Sequence, residues 1–268
     1  MLGAVIGDIA GSKYEFNNIK TKNFNFLAYD CTFTDDTVMT AAVARACLDY
    51  ADAGRDIELF PQFCIKHMQT LGRLYPRVGY GGRFYQWLMS ADPQPYGSFG
   101  NGSAMRVSPV AWCAESLEEA LDLATASARI SHDDPDGIRG ALAAAGCTYL
   151  ARTGADKEAI RAFAEEHYAL DFTIDQIRPD YSFDVSCAGS VPQAIECFLE
   201  SDDFEDTIRT AISLGGDCDT TAAIVGGIAE AMWGVPQLFR NMALMFIGGT
   251  PIESAIADAE ARFGARAI

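Results

Sequence analysis

The chain has 268 residues, 49% of them hydrophobic, which is enough for one large domain or two small ones around a sizeable core. Its 37 acidic residues outweigh 20 basic ones, and the net charge of −17 argues against a nucleic-acid-binding surface or an anionic membrane partner. Eight cysteines without a C-x-x-C pair read as small buried hydrophobes, and three scattered histidines are too few for a zinc site.

Leu2, Val5, Ile6 and Ile9 fall at i, i+3, i+4 and i+7, a helical stripe. Asp8 interrupts this apolar run and no basic segment precedes it. It therefore reads as neither a signal peptide nor a membrane span, and a cytoplasmic protein is expected. Gly11 allows close backbone approach before Glu15 ends the segment. Residues 17–30 have no period and predict a loop. Thr34 or Asp35 sits near the N-cap of a helix whose apolar positions are 38, 39, 42, 43, 46 and 47. A helix over 56–71 follows, then a Pro/Gly loop over 74–82 and a short helix over 83–89.

The loop over 91–102 ends in Ser98-Phe99-Gly100-Asn101-Gly102 and enters the run 103–112. A Gly-rich turn before a helix offers N–H groups and a favourable dipole to an anion, although an ordinary turn has the same look. Ser116 caps a helix to Ile130; residues 131–135, with His132, break the pattern; Pro135 opens a helix to about Tyr149. His132 at such a break fits a capping or hydrogen-bonding histidine as well as a catalyst. Residues 155–168 form an amphipathic helix and 172–186 are irregular. Helices are predicted over 190–199, 203–213, 222–233, 237–245 and 252–263.

Alternation of the strand kind is nearly absent, no repeat is visible and no linker divides the chain. The expectation is an all-α protein of about a dozen helices, one domain over 1–268. The stretch Gly215-Gly-Asp217-Cys-Asp219-Thr220-Thr221 places two carboxylates and two hydroxyls before an Ala/Ile/Val helix. One such side chain would serve as a cap. Asp217 and Asp219, two apart in a non-helical turn, could instead aim oxygens at one point, and such ligands suit Mg²⁺, Mn²⁺ or Ca²⁺.

Five motifs stand in order: Gly7-Asp8-x-x-Gly11-x-x-x-Glu15, Thr34-Asp35-Asp36-Thr37, Gly100-Asn101-Gly102-Ser-Ala-Met105-Arg106, Ser131-His132 and Gly215-Gly-Asp217-Cys-Asp219-Thr220. In this order the chain resembles the ADP-ribosylglycohydrolase family, and the resemblance runs from Gly3 to about Gly234. It implies an all-α fold with a dinuclear cleft holding two Mg²⁺ (or Mn²⁺). Thr34, Asp35, Asp36 and Asp219 would hold one ion; Asp217, Asp219 and Thr220 would hold the other, with Asp219 bridging. Glu15 matches a glutamate beside the metals and the scissile ribose. By the same resemblance Ser98, Phe99, Gly100, Asn101 and Gly102 would cradle a diphosphate through backbone N–H groups, with Met105 in the same motif. His132 would be a ligand-cleft histidine, and Gly79 to Gly82, including Gly81, a substrate-lining loop. Phe99 stands where some members carry tyrosine, so a hydroxyl contact would be missing.

The implied reaction is hydrolysis of the glycosidic bond between ADP-ribose and an acceptor, with ADP-ribose or an ADP-ribosylated protein as partner. A carboxylate must take the proton of the attacking water, and Glu15 and Asp36 are both candidates. Rivals are a hydrolase of free ADP-ribose or nucleotide conjugates, an inactive ADP-ribose-binding relative, and a phosphohydrolase that would release AMP or phosphate. Like charges packed this closely would raise one another's pKa unless cations neutralise them.

Overall fold

The N-terminal apolar stripe folds as helix α1 (Leu2–Ser12), buried from Leu2 to Gly11. The computed structural model describes residues 1–264, so the last four of the expected domain lie outside the described residues. After a loop come α2 (Asp35–Asp52), a 3-10 turn at Ile57–Leu59, α3 (Phe60–Leu74) and α4 (Gly82–Met89). The middle of the chain forms α5 (Gly102–Met105), α6 (Ser108–Cys113), α7 (Leu117–Arg129), α8 (Pro135–Thr153) and α9 (Lys157–Glu165). The remainder forms α10 (Ile174–Ile177), α11 (Cys187–Leu199), α12 (Phe204–Leu214), α13 (Cys218–Trp233), α14 (Gln237–Ile247) and α15 (Pro251–Phe263). Among the described residues there is no β-strand, only an isolated antiparallel bridge between Gly100 and Ser186. The fold is all-α, one compact unit.

Helix α13 is the centre. Every residue from Cys218 to Ala231 is buried, and α1, α8, α11 and α12 pack against it. A helix apolar on all sides has no stable alternative to such a position. Its contact with α1 is backbone to backbone. A Cβ added at Gly3, Gly7 or Gly11 would lie 2.1, 2.0 or 2.4 Å from Gly226 O, Ala222 O or Asp219 Cα. The i, i+4 spacing puts the three glycines on one face of α1, and their missing side chains let the helices touch. Around this pair, α2 packs on α3, α6 and α15. The eight cysteines are free and buried.

Side-chain caps set most helix starts. Thr34 accepts from Asp36 N, Ser116 from Glu119 N, Asp134 from Asp136 N and Asp203 from Asp206 N. The Ser186 cap on Gly189 N starts α11 three residues earlier than its periodicity predicts. The run 103–112 is two short helices rather than one, because the chain turns at Arg106 and Val107 before Pro109 enters the first turn of α6. A capping box at Thr173 and Gln176 makes α10 inside the segment expected to be irregular. No helix among the described residues is long and apolar enough to cross a membrane.

Candidate functional site

Three chain segments converge beside the α1–α13 contact. Asp8, fully buried on α1, accepts from Thr34 N (2.9 Å), Thr34 Oγ1 (2.7 Å) and Thr37 N (3.0 Å), which docks the first turn of α2 onto α1. Asp35 and Asp36 therefore start α2 at a fixed place. Thr220, in the first turn of α13, donates its hydroxyl to Asp36 Oδ2 at 3.2 Å and joins residues 184 apart in sequence. Glu15 comes from the turn after α1.

Carboxylate oxygens of Asp8, Asp36 and Asp219 lie within 4.8 Å of one another, as do those of Glu15, Asp217 and Asp219. Asp219 belongs to both groups; Asp35 belongs to neither. The turn predicted to be non-helical is corrected here, since α13 already begins at Cys218 and Asp219 sits in its first turn. Asp217 occupies the N-cap position yet makes no capping bond; its Oδ2 accepts from Asn101 Nδ2 at 2.7 Å. A cap does not account for this side chain. Asp8 carries no role in the sequence reading, although a carboxylate in the middle of an apolar stripe was the visible signal.

The electrostatics are unfavourable without a cation. Burial, then the Asp8 charge, pushes Asp35 up to about 8. Burial and the Asp219 carboxylate drive Asp36 well above its usual range, and burial with Asp217 does the same to Asp219. Glu15 is pushed up to about 7 by burial and then by Asp217. Asp217 is raised by burial, with the Asn101 hydrogen bond opposing. Asp8 rises only to about 6, because its hydrogen bonds from Thr34 and Thr37 offset much of the burial. Asp36 Oδ1 is buried without a hydrogen-bond partner. An all-oxygen donor set with an orphaned buried carboxylate oxygen fits a hard divalent cation.

Above these groups lies a cavity of about 470 Å³. Glu15, Asp35, Asp36, Asp217, Asp219 and Thr220 line it at one side. Gly79 and Gly81 line a second side, and Ser98, Gly100, Asn101, Gly102, Met105 and His132 a third. Two candidate residues fall elsewhere. Thr34 turns its hydroxyl to Asp8, behind the lining. Phe99 points away from the cavity with 55% of its surface exposed, while its carbonyl accepts from Cys187 N. The expected cradle is narrower than the motif implies, since Gly100 N already donates to Ser98 Oγ and Asn101 N to Val185 O. Phe16, Phe183 and Val185 also line the cavity and had no signal in the sequence; Phe183 and Val185 lie on the segment predicted to be irregular.

A buried relay orients His132. Arg106, fully buried, donates from Nη2 to Ser127 O (2.8 Å) and Ser131 Oγ (3.0 Å). Ser131 Oγ lies 2.8 Å from His132 Nδ1. A hydroxyl that accepts from Arg106 and donates to Nδ1 leaves the ring proton on Nε2. Burial, followed by the Arg106 charge, holds His132 well below its ordinary pKa, so it is neutral. Nε2 is close to the Gly100–Gly102 turn: a Cβ at Gly102 would stand 3.0 Å from it.

Comparison with known proteins agrees over nearly the whole chain. The family model described as ADP-ribosylglycohydrolase matches residues 1–263. An ADP-ribosylhydrolase ARH3 of Xenopus tropicalis is 24% identical over 316 residues, covering 91% of this chain and 89% of the relative. The ADP-ribosyl-[dinitrogen reductase] glycohydrolase of Rhodospirillum rubrum is 28% identical over 221 residues, 76% of this chain and 70% of that one. A solved structure titled ADP-ribosylglycohydrolase-related protein complex superposes with a TM-score of 0.68 at 25% identity, covering 98% of this chain and 94% of its own.

Proposed function

The chain belongs to the ADP-ribosylglycohydrolase family, and on that premise we propose that it hydrolyses the glycosidic bond between ADP-ribose and an acceptor, releasing ADP-ribose. The observation that carries the reading is the pair of carboxylate groups sharing Asp219 at the wall of the cavity. Asp36, Asp217 and Asp219, with Asp35 and Thr220 around them, would hold two Mg²⁺ or Mn²⁺ ions. Bound there, such ions would supply orientation of ribose hydroxyls and polarisation of water.

The chain's own groups divide the remaining work. Glu15 lines the cavity at partial exposure, where its carboxylate can accept a proton from water attacking the ribose. Asp36 is the weaker candidate for base, because Thr220 holds one of its oxygens and the other is buried. His132 Nε2–H and the N-terminal N–H groups of α5 are donors for a diphosphate beside Gly100 to Gly102. Tyr96 and Phe84 flank His132 at ring distances of 6.0 and 6.1 Å and restrict its motion.

Mass spectrometry of products tests this. The protein is incubated with arginine- and serine-ADP-ribosylated peptides under Mg²⁺, Mn²⁺ or EDTA. Release of intact ADP-ribose from one peptide, abolished by EDTA, is the expected result and names the acceptor. Release of AMP would reject glycosidic cleavage, and equal release under EDTA would reject the metal.

A further inference from the structure

Glu15 lies beyond the end of α1, in a bend with no helical ladder to hold it. Its backbone is nevertheless fixed, locally by the turn bond from Asn17 N to Tyr14 O and against the turn before α13 by the side chain of Asn18. Asn18 Nδ2 donates to Tyr14 O (2.8 Å), Glu15 O (2.9 Å) and Gly216 O (3.0 Å). Its Oδ1 accepts from Gly216 N at 2.7 Å. Only an oxygen can accept that N–H, so the orientation of the carboxamide is determined by the bond itself. The carboxamide thus takes both backbone groups of Gly216, immediately before Asp217, and ties them to the carbonyls on either side of the Glu15 Cα, its two N–H groups shared among the three carbonyls. Lys20 reinforces the contact by donating to Leu214 O (2.6 Å) and Tyr181 O (2.7 Å). Gly216 suits the clamp: its φ of +72° is left-handed, and a Cβ would stand 2.5 Å from the Tyr181 ring.

We infer that Asn18 is a positioning residue that sets the Glu15 carboxylate against Asp217 and Asp219 by clamping the turn after α1 to the turn before α13. The role assigned to Glu15 rests on the proposed hydrolysis; the clamp does not. Among the described residues no other side chain bonds the Glu15 backbone and the Gly216 peptide together, so a change at Asn18 loosens the two turns from each other while both helices stay packed through their glycine contact. A misplacement on the order of 1 Å at a reacting group costs about 10- to 100-fold in rate.

Two variants and two measurements decide it. Asn18→Ala removes the whole clamp; Asn18→Asp keeps an acceptor for Gly216 N–H but loses every donated bond. In Asn18→Ala, amide hydrogen exchange is expected to quicken at both residues 14–18 and residues 214–217, with α1 and α13 unchanged. In Asn18→Asp it should quicken mainly at residues 14–18. The rate of ADP-ribose release from the peptide cleaved by the wild type should fall about 10- to 100-fold in kcat, with KM within about threefold. In Asn18→Ala, unchanged exchange at either turn, exchange raised along both helices, or kcat and KM moving together would overturn the clamp as a positioning device. A wild type that releases no ADP-ribose refutes the hydrolysis instead, and exchange alone then decides the clamp.

Discussion

Adding one methyl group at Gly11 should damage fold and site together. The Cβ of Gly11→Ala would lie 2.4 Å from Asp219 Cα, 2.7 Å from Asp219 N and 2.8 Å from Cys218 O. All three are backbone atoms of the first turn of α13, so no side chain can swing aside. Ordinary contact begins at 3.4 Å, and α13 must retreat from α1 by about 1 Å. Overpacking of this kind costs about 1–3 kcal/mol, which lowers Tm by about 2–4 °C per kcal/mol in a chain of this size. The same shift carries Asp219 away from Asp36 and Glu15, so Mn²⁺ should bind at least about tenfold more weakly. Calorimetric melting and isothermal titration with Mn²⁺ read the two effects on one preparation. Gly54→Ala is the control: its φ of +79° carries strain of about 1–2 kcal/mol, but nothing lies within 4 Å, so Mn²⁺ affinity should not change. A Gly11→Ala protein that melts like the wild type and binds Mn²⁺ equally well would refute the backbone-contact argument.

Other outcomes follow from the same geometry. Asp35, Asp36, Asp219 and Glu15 have folded-state pKa values raised above those of the unfolded chain. Their protonated forms favour the folded state, so the metal-free protein is most stable below about pH 4 as far as these groups are concerned and loses that stability as pH rises to about 8. Melting in EDTA should accordingly show Tm falling between pH 5 and 8, with saturating Mg²⁺ flattening the fall; a rising Tm in EDTA would contradict the assignment. Replacing one of the crowded charges, Asp36→Asn, should raise the Tm of the metal-free protein by a few degrees, about 1 kcal/mol, and weaken Mn²⁺ at least tenfold by titration. Ser131→Ala removes the hydroxyl that fixes the His132 tautomer, and KM for the ADP-ribosylated peptide should rise about 3- to 10-fold with kcat within about twofold; an unaltered KM would remove His132 from ligand binding.

Periodicity made the helices legible, because apolar stripes such as those at 2–9 and 38–47 declare a buried face. Caps supplied boundaries where the capping residue was read correctly, as at Ser116; the boundary of α11 was missed because Ser186 lay in a segment with no stripe. The two acidic clusters were visible as excess polarity at helix starts. What their local sequence could not say is that Asp217 turns to Asn101, since that bond spans 116 positions. Asp8 stands out as one carboxylate in an apolar stripe, but its role as the acceptor that docks α2 depends on Thr34 and Thr37, 26 and 29 positions away. The strap of residues 183–187 pairs with residues 99–101 mainly through backbone groups, Asn101 N to Val185 O and Cys187 N to Phe99 O, which leave no trace in side-chain pattern.

The glycine contact between α1 and α13 also governs the order in which the molecule can be made. The glycines at 3, 7 and 11 find their partner only when residues 219–226 exist, so the closest contact of the first helix has no local substitute. At about 5–20 residues per second, synthesis of the intervening chain takes on the order of 10–40 s. Through that interval a helix destined to be buried along nearly its whole length has α2, docked through Asp8, to pack on, but not the helix that meets its glycine face. Glu15 and Asp219 meet only after this pairing closes, so the cavity is a late product of folding, and a nascent chain cut before α13 would carry every carboxylate of the site but Asp219, the one shared by both groups.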